Sequence, residues 1–154
     1  ATSLGLTTLQ DADNDTKIEV EKTADEDLIR FTLADTTFFV MDGAHLQIYQ
    51  TGNSVFIGYG AGSNDDFTHN ENVFIGFNTG YYSTNGESNT SIGSYSLMYN
   101  TMGHENTATG YQAMQVNELG SRNTAVGFKA LRGNKYTSNS VAVGYKAMHY
   151  ANPG

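Results

Sequence analysis

A glycine returns at a near-constant step through the second two-thirds of the chain, and no other feature restricts the fold as much. The glycines at 58, 76, 93, 110, 127 and 144 are 18, 17, 17, 17 and 17 residues apart. Each closes the same short motif: Ser54-Val-Phe-Ile-Gly58-Tyr, Asn72-Val-Phe-Ile-Gly76-Phe, Asn89-Thr-Ser-Ile-Gly93-Ser, Asn106-Thr-Ala-Thr-Gly110-Tyr, Asn123-Thr-Ala-Val-Gly127-Phe and Ser140-Val-Ala-Val-Gly144-Tyr. A constant step of this kind marks a solenoid, in which each repeat is one coil stacked on the last. Adjacent coils are then about 4.8 Å apart, and six of them span on the order of 25–30 Å.

Seventeen residues are too few for two helices and a turn, but enough for two short strands and two turns. The residues before each glycine are Val, Thr, Ile, Phe and Ala, which favour strands. Gly58, Gly76, Gly93, Gly110, Gly127 and Gly144 are expected at structural turns that need a positive φ or a close backbone approach. A second short stretch follows, as in Tyr111-Gln-Ala-Met114, Phe128-Lys-Ala-Leu131 and Tyr145-Lys-Ala-Met148. Four residues between breaks do not repay helix nucleation, so this stretch is expected to be a second strand. A polar loop such as Ser83-Thr-Asn-Gly-Glu-Ser88 then closes the coil.

Side chains alternate across a strand. One and three residues before the glycines stand Ile57/Val55, Ile75/Val73, Ile92/Thr90, Thr109/Thr107, Val126/Thr124 and Val143/Val141. Two residues before them stand Phe56, Phe74, Ser91, Ala108, Ala125 and Ala142. Both rows are apolar or small, and a strand apolar on both faces is buried on both. One coil has one inside, so the second face needs a partner chain. We expect the Val/Ile row to fill the coil and the Phe/Ala row to meet that partner. Four residues before the glycines, Asn72, Asn89, Asn106 and Asn123 would stack as an amide ladder.

The Asn-Thr-Ala-Val-Gly pattern over residues 53–148 resembles the head repeat of trimeric autotransporter adhesins, the YadA-like left-handed parallel β-roll. It is also similar to repeats in fibre proteins of marine bacteria and phages, several of which end in an intramolecular chaperone of the endosialidase type. The coil here is longer than in the best-known heads, and residues 1–154 show no pattern of their coiled-coil stalk or membrane anchor. The resemblance implies an all-β, left-handed β-roll assembled as a homotrimer on a surface fibre, with adhesion as its activity. On that assembly, Phe56, Phe74, Ala108, Ala125 and Ala142 would lie on the threefold axis, and the chains would close up toward residue 142.

Residues 1–50 lack the repeat and carry ten acids against three bases, a net of −7; residues 51–154 carry six against five, a net of −1. We expect a small acidic β-rich collar over 1–50, also trimeric, and six coils over 51–154. Four β-like runs, Lys17–Val20, Leu28–Leu33, Thr37–Met41 and Leu46–Tyr49, are separated by turn signals such as Asp42-Gly43. No basic stripe exists, which argues against nucleic acid as a partner. The chain has no cysteine, so it has no thiol chemistry. It shows neither a signal-peptide pattern nor an apolar run of membrane-helix length, and it reads as a piece of something longer.

The chemistry-bearing residues point to no reaction. Asp11, Asp13 and Asp15 have the alternate spacing of a calcium loop, but Thr16 and Lys22 stand where that loop needs Gly and a bidentate Glu. A solvated acidic turn is expected there and at Asp65-Asp66, with no cofactor, and calcium as the ion a loop at 11–15 would take. His45, His69, His104 and His149 have no metal-ligand spacing. Gly58-Tyr-Gly-Ala-Gly62 superficially matches a dinucleotide motif but lacks the helix that motif requires. Tyr81, Tyr82, Tyr99 and Tyr150 lie in or near loops, where rings bind sugars or proteins or stack on the next coil. The sequence therefore suggests a non-enzymatic, extracellular module of a cell-surface, virion or injection-system fibre, binding a cell-surface glycan or protein. Its alternative is a purely structural shaft segment. Ice binding through the row Thr90, Thr107 and Thr124 ranks below both, as does glycan degradation, which needs acids closer together than the six here.

Overall fold

A computed structural model of the 154-residue chain describes residues 8–10, 12, 16–20, 28–33, 36–42, 45–48, 52–66, 68 and 70–150. The chain divides into two compact units, Ala1–Gln50 and Thr51–Gly154. Among the described residues every regular element is a strand.

The first unit is an antiparallel meander: β1 (Thr8–Gln10), β2 (Lys17–Val20), β3 (Leu28–Leu33), β4 (Thr36–Asp42) and β5 (His45–Ile48), paired in chain order. The four β-like runs of the sequence correspond to β2 through β5, and Thr8–Gln10 adds an edge strand. Register slips between Phe31 and Thr32 where β3 pairs with β4, a β-bulge that locally increases twist.

The second unit is a parallel β-solenoid. Its strands are β6 (Val55–Ile57), β7 (Val73–Ile75), β8 (Thr90–Ile92), β9 (Thr107–Thr109), β10 (Thr124–Val126) and β11 (Val141–Val143). They pair in sequence order with like positions opposite, so Phe56, Phe74, Ser91, Ala108, Ala125 and Ala142 form one column. Six strands at this step make about five turns of ~17-residue coils.

The second stretch of each coil is not a strand. Gln112 and Met114 have φ of 56° and 47°, and Lys129 and Leu131 have 56° and 47°. Alternate left-handed residues curl the chain back toward its start while its amides still bond from coil to coil, as in Leu97 N–H to Ala113 O at 3.0 Å and Met114 N–H to Ala130 O at 2.9 Å. A non-glycine residue in this region costs on the order of 1 kcal/mol, and it persists because the stacked bonds over-determine it.

The assignment of faces from sequence is reversed. Phe74, Ala108, Ala125 and Ala142 are buried inside the coil of a single chain, and the ring of half-buried Phe56 lies against Gly62, also inside. They do not face outward, so in this fold they are not available to line an axis or to set the taper expected from them. The Val/Ile row points outward instead: Ile57 is 50% exposed, Ile92 41% and Val143 67%. In a three-residue strand only the middle side chain points in, and its volume is matched by the residue four beyond the glycine. Coils one and two pair Phe56 with Gly62 and Phe74 with Gly80; a Cβ at Gly62 would sit 2.6 Å from the Phe56 ring, and one at Gly80 would strike Phe74. Coils three to five pair Ser91 with Leu97, Ala108 with Met114 and Ala125 with Leu131, all buried. Large with none and small with large keep the side-chain volume of each layer similar, as a close-packed interior requires. Where the Phe layers give way to the Ala layers, a buried hydroxyl cluster forms: Thr79 Oγ1 donates to Ser91 Oγ at 2.8 Å, and Ser91 and Ser96 are in hydrogen-bond contact.

Candidate functional site

Two columns run the length of the solenoid, built by its repeat, and a groove opens on its first coils. The first is polar and buried. The backbone N–H groups of Asn89, Asn106 and Asn123 donate to Oδ1 of Asn72, Asn89 and Asn106 at 2.9, 2.9 and 3.0 Å. Ser54 begins this ladder, accepting from Asn72 N–H at 2.9 Å, and Ser140 ends it. A second ladder, Asn100, Asn117 and Asn134, runs beside it, and the sequence reading missed it. Asn89 and Asn100 both donate to Gly103 O at 2.9 and 2.8 Å; Asn106 and Asn117 share Gly120 O, both at 2.8 Å. The signal was present, since Asn100, Asn117 and Asn134 are also 17 residues apart, but they sit in loops where Asn is common. Apart from Asn134 Oδ1, which ends the second ladder buried and without a partner, these amides are consumed by the fold.

The second column is aromatic and outward. Tyr59, Phe77, Tyr95, Tyr111, Phe128 and Tyr145 follow one another with ring centroids 5.8, 5.3, 5.9, 5.5 and 5.3 Å apart. In the third coil Ser94 takes the aromatic position, and Tyr95, the next residue, fills the gap. Lys129 and Lys146 lie over the Phe128 and Tyr145 rings at 4.9 and 5.2 Å. The strands that precede it present the outward Val/Ile/Thr face, aliphatic in the first and last coils and carrying Thr90, Thr107, Thr109 and Thr124 between them.

The third feature is a groove of about 460 Å³ on the first three coils, bounded by Tyr59, Tyr81 and Tyr82, with Ser63, Asn78 and Met98. Tyr81 and Tyr82 meet edge to face at 4.7 Å, and Tyr82 stacks on Tyr99 at 5.0 Å. Tyr82 and Tyr99 are each 40% exposed, and Tyr150 is exposed at the far end.

Charge is segregated along the second unit, which the sequence reading did not separate. Its six acids all lie between residues 65 and 118, and its five bases all lie between 122 and 146. Desolvation first, and then the positive charges of Arg132, Lys146 and Lys129, hold His149 below its ordinary pKa. At the other end the expected solvated turn divides in two. Asp65 is buried and accepts from Asn70 Nδ2 at 3.0 Å, while Asp66 is exposed. The Thr68 hydroxyl and N–H, at 2.7 and 3.0 Å, hold the Asp66 carboxyl below the usual range.

Asp11, Asp13 and Asp15 lie outside the described residues, as do His69 and the side chain of His45. His104 Nδ1 accepts from Glu87 N–H at 3.1 Å, in a shallow cleft shared with Glu105 and Arg122. Among the described residues no three His, Asp or Glu side chains are grouped to hold a metal ion, and no helix is long and apolar enough to cross a membrane. Gly58 to Gly62 form a turn of the first coil and open no helix.

The fold and these columns define the class as a parallel β-solenoid repeat protein. Comparisons of the chain with family models, curated proteins and solved structures give no match.

Proposed function

We propose that the chain is a non-enzymatic, adhesive module of an extracellular homotrimeric fibre, borne on a cell surface, a virion or an injection system, that binds a cell-surface glycan or protein. The observation that carries this reading is the outward face. The outward Val, Ile and Thr side chains of β6 to β11 form one face, with Ile57, Ile92, Val126, Val141 and Val143 exposed, and an apolar patch of this kind on a folded chain marks an interface. We assign the occupants as two further copies in parallel, which extends the resemblance to left-handed trimeric β-rolls while replacing the axis residues. The Val/Ile/Thr face meets the partners, and the Phe/Ala column does not. The meander of the first unit then serves as the collar.

A rigid, repetitive stack held by buried amides suits a rod that presents loops rather than one that turns over substrate. Glu87 and Glu105 line one open cleft beside Arg122, and the other acids are spread along the coils, which weighs against hydrolysis by paired carboxylates. Neither nucleic acid nor insertion into a membrane is part of the proposal. Thr107, in the Thr90–Thr107–Thr124 row, faces out rather than in, which keeps ice binding testable by freezing hysteresis. The row is short and flanked by Val and Ile, which favours protein contact. The test of adhesion is saturable retention of labelled chain on target cells, displaced by unlabelled chain. Saturation and displacement support an adhesin; flat, non-competed retention across bacterial and animal cells would instead support a shaft segment.

A further inference from the structure

We propose that the groove bounded by Tyr59, Tyr81 and Tyr82 binds a neutral pyranose of a cell-surface glycan. The inference rests on the adhesive reading above and names its ligand class. Three phenol rings line one concavity, and a ring face offers the apolar platform on which the C–H face of a pyranose stacks. Their hydroxyls, with the Ser63 hydroxyl and the Asn78 amide, offer the donors and acceptors that sugar hydroxyls need. The volume of about 460 Å³ is within the range of small-molecule clefts. The platform is preorganised: Tyr82 is clamped between Tyr81 and Tyr99, so ordering it on binding costs little. Gly60 keeps the floor open, because a Cβ there would strike the Asn78 amide and approach the Tyr81 ring at 3.2 Å. Asn78 Oδ1 is buried with no hydrogen-bond partner, an acceptor that a sugar hydroxyl satisfies after a small side-chain rotation.

Charge selects neutral over acidic sugars. No lining residue is charged, and the nearest ionisable groups in sequence are Asp65 and the ionised, exposed Asp66. A uronate or sialate would find no cation in this lining, whereas the five bases stand in the last coils, after residue 121. The sequence alone does not reveal the groove, because its walls come from three successive coils.

The test titrates ring-labelled protein with maltotriose, cellotriose and N-acetyllactosamine, with 3′-sialyllactose and trigalacturonate as acidic counterparts, and follows tyrosine ring resonances. At least one neutral sugar is expected to shift the Tyr59, Tyr81 and Tyr82 signals saturably, and the acidic sugars at least tenfold more weakly. Tyr82→Ala is expected to weaken that binding at least tenfold, Tyr82→Phe far less, and Tyr136→Ala, on an exposed ring elsewhere, not at all. Shifts at other tyrosines only, tighter binding of the acidic sugars, or no shift with any sugar would overturn the assignment. If labelled chain still attaches saturably to cells and Tyr82→Ala attaches equally well, the groove fails and adhesion stands. If neither attaches, the adhesive reading fails as well.

Discussion

The conformation of single residues decides whether the coils stack. Gly110 and Gly127 have φ of 127° and 130°, and a Cβ on either would lie 2.7 or 2.5 Å from the carbonyl oxygen of the glycine one coil on. Gly110→Val or Gly127→Val should therefore cost about 1–3 kcal/mol, read as a lower urea midpoint at unchanged slope. Gly133→Ala, whose nearest neighbour would be 3.2 Å away, is the mild control, and equal midpoints for all three variants would remove the special role of the glycine column. His149 gives a second residue-scale prediction. Its folded pKa lies below 6.5, so the neutral ring is favoured, and its contribution to stability is present above pH 6.5 and lost as pH falls through the folded pKa. An NMR titration should place it below 6.5, and Lys146→Gln should move it upward; a value above 6.5 would contradict the clustering of cations there. The glycine positions were legible from spacing alone. The alternating left-handed φ at Gln112, Met114, Lys129 and Leu131 was not, because non-glycine residues rarely occupy that region and nothing local announces it.

At the scale of the coil, two matched pairings hold the interior together. Phe74→Ala should open a cavity and cost about 3–5 kcal/mol. Adding Gly80→Leu recreates the Ala/Leu pairing of the fifth coil, so the double variant should recover a large part of that loss, whereas Gly80→Leu alone should be strongly destabilising. Additive single losses in a thermal or urea series would show that the two positions do not share one volume. The amide ladder gives a parallel test. Asn106→Ala would leave the Asn123 N–H without its acceptor and the Gly120 carbonyl with Asn117 alone, at a cost on the order of 2 kcal/mol. Hydrogen exchange should quicken first at Asn123, and no change there would sink the ladder. That β6 to β11 are strands was legible, since Val, Ile, Thr and Phe precede every glycine. Which face is inside was not: both rows are small or apolar, and the deciding partner lies six residues away, across the coil. Reading Phe56 with Gly62 and Ala125 with Leu131 as pairs would have settled it.

For the whole molecule, the segregation of charge makes the proposed parallel association distinguishable from an antiparallel one. A threefold axis along the solenoid places chains in parallel, so acidic coils lie beside acidic coils and basic beside basic. Like charges then oppose assembly at low salt, and raising ionic strength, which shortens the Debye length to about 10 Å at 0.1 M, should tighten it. Antiparallel pairs would put residues 65–118 of one copy against residues 122–146 of the other and weaken with salt instead. On the proposed assembly the outward Val/Ile/Thr face supplies the attraction, so Ile92→Asp or Val126→Asp should disrupt it far more than Glu87→Gln, on an exposed loop. Sedimentation equilibrium of the intact chain at micromolar concentration tests this most directly. The account predicts a species of about 50 kDa, three times the 16.7 kDa chain, that falls apart in Val126→Asp; a 16.7 kDa monomer, or an assembly indifferent to that substitution, would contradict it.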